Sequence, residues 1–180
     1  MMTPEAFHNL FPTLQFPGNG IDVLLKALKP VTLAASDPLI LQGQLSDTLY
    51  FICSGRLQVS FEANDIRLVL GELPPGRWVC EFGFIDPGPA AADVIAQENC
   101  EVLALSQDGM NDLYKASPNT ASALLQILSL ELAERLRATS RQTLEKNTVN
   151  QYTLRQPEHQ SDDSWINRIF RRLFGFTGNE

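Results

Sequence analysis

Few side chains in this sequence are equipped for covalent or metal chemistry. Cys53, Cys80 and Cys100 are an odd set with no CxxC pair. Neither a disulfide scaffold nor a zinc ribbon is expected, and a reducing cytoplasm fits. His8 and His159 are the only histidines, too few for a histidine-rich metal site. The sequence shows no nucleophile–base pairing, no metal cluster and no phosphate loop, so it reads as a non-enzyme with no cofactor and no metal. The remaining chemistry is charge. The formal net charge is −7, which gives the body no general attraction for nucleic acid. The exception is local: Ser164 to Phe176 holds Arg168, Arg171 and Arg172 and no acid.

The elements that must position these groups follow from periodicity. With 180 residues and 44% hydrophobic content, the chain is a globular domain of ordinary size with a small appendage. Residues 1–30 read as an N-terminal helical segment, with Phe7, Leu10 and Phe11, then Ile21, Leu24, Leu25 and Leu28, at helical spacing. Residues 31–105 read as short strands. Leu57, Val59 and Phe61 alternate with Gln58 and Ser60, and Ile66, Leu68 and Leu70 alternate with Arg67 and Val69 beyond a turn at Ala63-Asn64-Asp65. Turn signals recur at Gly71, Pro74-Pro75-Gly76 and Pro87-Gly88-Pro89, which argues for a small barrel or sandwich.

From Gln107 the period becomes helical. A short helix breaks at Ser117-Pro118, and a long one is expected from Asn119 to about Leu144. Ala121, Leu125, Leu128, Leu132 and Leu136 form its apolar stripe. The stripe exceeds what one small barrel needs, so a homodimer seam is expected, with packing on the chain's own barrel as the alternative. The barrel with its long helix spans 31–146. A polar linker is expected over 147–163, and no internal repeat is present.

The order of these elements resembles the cyclic-nucleotide-binding domain family, the jelly-roll (double-stranded β-helix) effector domain of catabolite-activator-type regulators. The resemblance rests on Leu41-Gln-Gly43, on Leu49 to Val59 with Gly55, on Pro75-Gly76, on Cys100 to Leu105, and on Leu132-Ala-Glu-Arg-Leu-Arg137. It implies a mainly β fold with flanking helices. It also implies a phosphate cassette: Phe-Gly-Glu, then Pro-Arg-x-Ala-Thr/Ser-Val, in which backbone N–H groups and the arginine hold the cyclic phosphate. Here the first motif reads Val79-Cys80-Glu81 and the second Pro89-Ala90-Ala91-Ala92-Asp93-Val94. The glutamate is kept as Glu81. Cys80 replaces the glycine, Ala90 the arginine, and Asp93 the hydroxyl residue.

A charge-assisted arginine–phosphate contact contributes roughly 1.5–3 kcal/mol. Its loss alone weakens binding about ten- to a hundredfold. Asp93 is expected to add an uncompensated negative charge at the seat. cAMP and cGMP binding is therefore not expected, and the pocket reads as vestigial or repurposed. Glu81 and Asp93 together would suit a cation or amine. The plainer alternative has Asp93 capping a turn, Glu81 in a surface ion pair and Cys80 as an inert thiol rather than a redox sensor.

About 35 residues follow Leu144, too few for a winged helix-turn-helix module, so independent DNA binding is not expected. On a helical wheel, Trp165, Ile166, Ile169, Phe170, Leu173, Phe174 and Phe176 fall on one half of residues 164–176. Arg168, Arg171 and Arg172 fall on the other. Such an amphipathic helix packs on its own domain, docks into a partner protein, or lies on an anionic membrane. No apolar run approaches the roughly 20 residues that span a bilayer. The N-terminus carries no secretory signal pattern. The expected location is cytoplasmic, with peripheral inner-membrane contact as the variant. The functional expectation is a bacterial-type regulatory or scaffolding module. The alternative is a sensor for a modified nucleotide or other small molecule.

Overall fold

The computed structural model describes residues 2–63 and 66–153. It opens with α1 (Pro4–Leu10) and α2 (Gly20–Ala27). Strands β1 (Lys29–Leu33), β2 (Pro38–Ile40), β3 (Leu45–Ser46), β4 (Leu49–Ser54), β5 (Leu57–Ala63), β6 (Ile66–Leu73) and β7 (Trp78–Val79) follow. A one-turn helix α3 (Glu81–Ile85) interrupts them before β8 (Gly88–Pro89), β9 (Asp93–Ala96) and β10 (Cys100–Leu105). Helices α4 (Gln107–Ala116) and α5 (Pro118–Thr153) close the described chain. The strands form two antiparallel four-stranded sheets, β1-β10-β4-β7 and β2-β9-β5-β6, with a ribbon β3-β8. This is the jelly roll that the family resemblance implies, and it fits the small barrel or sandwich that the turn-punctuated alternation predicts.

Local chemistry sets the element ends. The Thr3 side chain accepts a hydrogen bond from the Ala6 N–H (3.2 Å), with Pro4 in the first turn of α1. Gly55 turns β4 into β5 at φ +78°, where an added Cβ would fall 2.5 Å from the Asn99 carbonyl. No other residue type fits that corner without a shift of backbone.

The period of two on β4 splits its side chains between two hydrophobic regions. Leu49 and Phe51 face the helices and join Phe7, Phe11, Leu24, Leu105 and Leu113 in a helix-side core. Ile52 points the other way and lies buried with Leu57, Val59, Leu70 and Val94 between the sheets. A shift of register between Val59 and Ser60 lets both of these consecutive residues bury.

The chain divides into two compact units, residues 1–128 and 129–180. Within the first, the start of α5 is capped by Ser117, whose Oγ accepts from the Thr120 N–H (3.4 Å). Ala121, Leu124 and Leu128 are fully buried in the helix-side core. Two members of the expected dimer seam, Ala121 and Leu128, are thus core of their own chain: the helix needs that face to cover Phe7 and its neighbours. Leu125 and Leu136 remain exposed at 36% and 66%, and Leu132 is half-buried. The described part of the second unit is the outer length of α5. Arg135 pairs there with Glu131 one turn back (2.6 Å). The helix runs to Thr153, past the expected end near Leu144 and into the segment read as linker. That stretch holds no proline or glycine before Pro157, so nothing in it breaks a helix.

Candidate functional site

Strand β7 leads into the cassette through Cys80, which adopts the left-handed conformation at φ +76°. This is the position at which the resemblance implies glycine, and the backbone keeps the glycine-type turn despite the Cβ. The Cys80 thiol and the Ser46 hydroxyl are hydrogen-bonded. Burial raises the Cys80 pKa, the Ser46 hydrogen bond opposes this, and the negative charges of Glu81 and Asp47 raise it further. Cys80 is a protonated thiol at neutral pH, so the redox-sensor alternative, which requires a lowered pKa, does not hold. Burial likewise pushes the Cys53 thiol up to about 11.

Glu81 opens α3 and is 1% exposed. It is therefore not the surface ion-pair partner that the sequence allowed. Gly83, on the same turn, lies so close to the Ser46 backbone that a Cβ would overlap it. This lack of a side chain is what lets α3 press against β3.

The second motif folds back on the β2–β3 turn. Ala90 makes two backbone hydrogen bonds, its carbonyl accepting from the Gly43 N–H (2.8 Å) and its N–H donating to the Gln44 carbonyl (2.8 Å). An N–H held in this way offers nothing to a phosphate. Ala91 is exposed, and Ala92 is buried at 5%.

Asp93 is the main correction. Its Oδ1 accepts from the Gln42 N–H (2.7 Å), and its Oδ2 lies 3.7 Å from the Arg67 guanidinium. Arg67 also donates to the Ser60 hydroxyl through Nε (3.1 Å) and the NH2 nitrogen (2.8 Å). Asp93 is therefore compensated, and the expected like-charge repulsion at the seat is withdrawn. The cost of placing it there is met by a guanidinium from β6 and a turn amide. Gln42 extends the cluster, its amide bonding the Glu62 carbonyl (3.0 Å) and N–H (2.8 Å). Sequence reasoning missed Arg67 and Gln42. Arg67 is one polar residue in an alternating strand, and only the fold brings it opposite Asp93, 26 positions away.

The structure thus brings Cys80 and Glu81 onto one turn, places Ala90 and Ala91 on the adjoining loop, and turns Asp93 away toward Arg67. A joint Glu81–Asp93 cation site is not what this arrangement offers, since Asp93 is already matched. Beside Cys80 a cleft of about 180 Å³ opens along β2. Among the described residues no group of three potential metal ligands gathers, and no helix is long and apolar enough to cross a membrane. Trp165, Ile166, Arg168, Ile169, Phe170, Arg171, Arg172, Leu173 and Phe174 lie outside the described residues.

The sequence model for "Cyclic nucleotide-binding domain" matches residues 30–117. That span runs from β1 to the end of α4 and contains both cassette motifs. Residues 30–117 form a domain of the cyclic-nucleotide-binding family. The chain is 27% identical over 123 residues to the CRP-like cAMP-activated global transcriptional regulator of Mycobacterium tuberculosis, covering 68% of this chain and 53% of that protein. It is 32% identical over 104 residues to the cAMP-activated global transcriptional regulator CRP of Escherichia coli, covering 57% and 48%. The crystal structure of the N-terminal domain of a transcriptional regulator from Streptomyces coelicolor superposes with a TM-score of 0.62 at 27% identity, covering 73% of this chain and 91% of that one. The chain spans about half the length of the curated relatives it matches. Among the described residues no helix-turn-helix follows the cyclic-nucleotide-binding domain.

Proposed function

We propose that this chain is a non-enzymatic regulatory module whose cyclic-nucleotide-binding domain does not take cAMP or cGMP. It works as a homodimer in the cytoplasm and reads out through residues 164–176 to a protein partner or an anionic membrane surface. The observation that carries this reading is the missing cation. Ala90 stands at the arginine position, and the nearby guanidinium of Arg67 is engaged by Asp93 and Ser60. A cyclic phosphate then loses a contact of roughly 1.5–3 kcal/mol and gains no substitute. Calorimetric titration of the full chain with cAMP and cGMP is expected to show no binding tighter than about millimolar, and micromolar binding to either overturns the reading.

Dimerisation is assigned to the outward face of α5, where Leu125, Leu132 and Leu136 are spaced by seven and four residues. Regulatory output is supported by the transcriptional regulators to which the chain is similar. The tail sequence supplies an apolar half and three arginines, each contributing about 1 kcal/mol on an anionic surface. Deleting residues 160–180 is expected to abolish co-sedimentation with anionic vesicles if the membrane is the target. If a protein partner is the target, the deletion abolishes its capture instead. Capture and sedimentation that are both unchanged by the deletion refute the assignment.

A second reading, a sensor for a non-standard small molecule, is favoured by the cleft beside Cys80.

A further inference from the structure

The sensor reading acquires a ligand class from the composition of that cleft. Its lining combines the aliphatic side chains of Pro38, Leu39 and Ile40 with the polar Ser46, Asp47, Thr48 and Tyr50. Among the described residues no lysine, arginine or histidine lines it. Asp47 is its carboxylate. Oδ1 accepts from the Thr48 hydroxyl (2.9 Å), and Oδ2 has no donor among the described residues. The Asp47 backbone is held in place by Gln107, whose Nε2 donates to the Asp47 carbonyl (3.2 Å) and to the Phe84 carbonyl (2.7 Å). The carboxylate is therefore presented from a fixed segment.

The ionised group lining the cleft at neutral pH is Asp47, whose negative charge raises both the Tyr50 hydroxyl and the Cys80 thiol, each raised first by burial. Among the described residues an anionic ligand meets a carboxylate and no cation here, whereas a cation gains a charge-assisted contact in a half-buried site. The aliphatic side chains add apolar burial for an attached chain.

We propose that this cleft binds a small alkylammonium ion, with its cationic head on the Asp47 carboxylate and the hydroxyls of Ser46 and Thr48, and its carbon chain along Pro38, Leu39 and Ile40. The proposal rests on the sensor reading and inverts the ligand charge that the family cassette serves. The probes are n-butylamine and putrescine, titrated into the full chain at low ionic strength, with 1-butanol and butyrate as neutral and anionic counterparts. Saturable binding of at least one amine is expected, at least tenfold tighter than butanol, with none for butyrate. Asp47→Asn is expected to weaken amine binding at least tenfold, while Asp112→Asn, at an exposed position of α4, leaves it unchanged. No saturable amine binding, butanol equal to the amines, or an unchanged affinity in Asp47→Asn overturns the proposal. The butanol and butyrate arms use the unaltered chain, so they decide the matter if Asp47→Asn does not fold. A parallel cAMP titration separates the failures: amines and cAMP both unbound removes this proposal and leaves the regulatory reading standing.

Discussion

Phe51→Ala is expected to destabilise the domain by about 3–5 kcal/mol, read as a lowered urea midpoint at unchanged slope. Phe51 is fully buried on β4. Its ring meets Phe7 at 5.7 Å and Phe11 at 5.5 Å, both edge-on, and Trp78 at 6.4 Å. Two of these partners come from the N-terminal segment and one from β7, so a single truncation opens a void between three parts of the fold. Edge-on pairs add roughly 0.5–1.5 kcal/mol beyond their buried area. Set against a typical total of 5–15 kcal/mol, the loss is a large fraction of stability. Phe82, 47% exposed on α3, is the matched control, and Phe82→Ala is expected to cost under about 1 kcal/mol. A Phe51→Ala effect as small as that control refutes the account. The cluster also bears on the site, because Trp78 opens the short strand that delivers Cys80 and Glu81.

The contrast between Phe51 and Arg67 shows what the chain discloses in one dimension. Phe51 lies in an alternating run that ends at Gly55, and both signals are local: side-chain period and a turn that only glycine suits. The same logic finds β5, β6 and the helices, since each element is written in its own neighbours. Glu81 and the altered residues around it are legible because the cassette motifs are contiguous. Arg67 is different. Its role depends on β5 and β9 pairing Ser60 with Asp93 and on β6 pairing Arg67 with Glu62, and no local pattern records that coincidence. The bulge at Val59/Ser60 compounds the difficulty, because strict alternation sends Ser60 outward while the fold buries it at 1% exposure. The α5 stripe shows a third case. Spacing identifies one apolar face, but only the packed helix-side core divides it into an inward part at Ala121, Leu124 and Leu128 and an outward part at Leu125 and Leu136.

The pairing of Arg67 with Asp93 makes the missing-cation account testable by addition as well as by loss. Ala90→Arg with Asp93→Ser adds one positive charge and removes one negative charge at the second cassette motif. Each charge-assisted contact to a phosphate contributes roughly 1.5–3 kcal/mol, or about ten- to a hundredfold in affinity. Asp93 is already matched by Arg67, so the gain comes from the added arginine, and the double variant is expected to bind cAMP or cGMP at least tenfold more tightly than the natural chain. Asp93→Ser alone is expected to give less than a threefold gain, because the carboxylate it removes is already matched and Arg67 keeps its two bonds to the Ser60 hydroxyl when the carboxylate is gone. Folding is not the obstacle. The Arg67–Asp93 contact is long at 3.7 Å and the arginine is half exposed, so its loss costs at most about 1 kcal/mol after solvent screening. Serine also keeps an oxygen for the Gln42 N–H. Calorimetry on the wild type and on both variants gives the three affinities. If the double variant gains nothing, charge does not limit binding, and the barrier lies in the backbone: the Ala90 N–H held by Gln44 and the β-carbon of Cys80 on a turn shaped for glycine. If the gain appears, those backbone differences are secondary, and substitutions at Ala90 and Asp93 account for most of the loss of cyclic-nucleotide affinity.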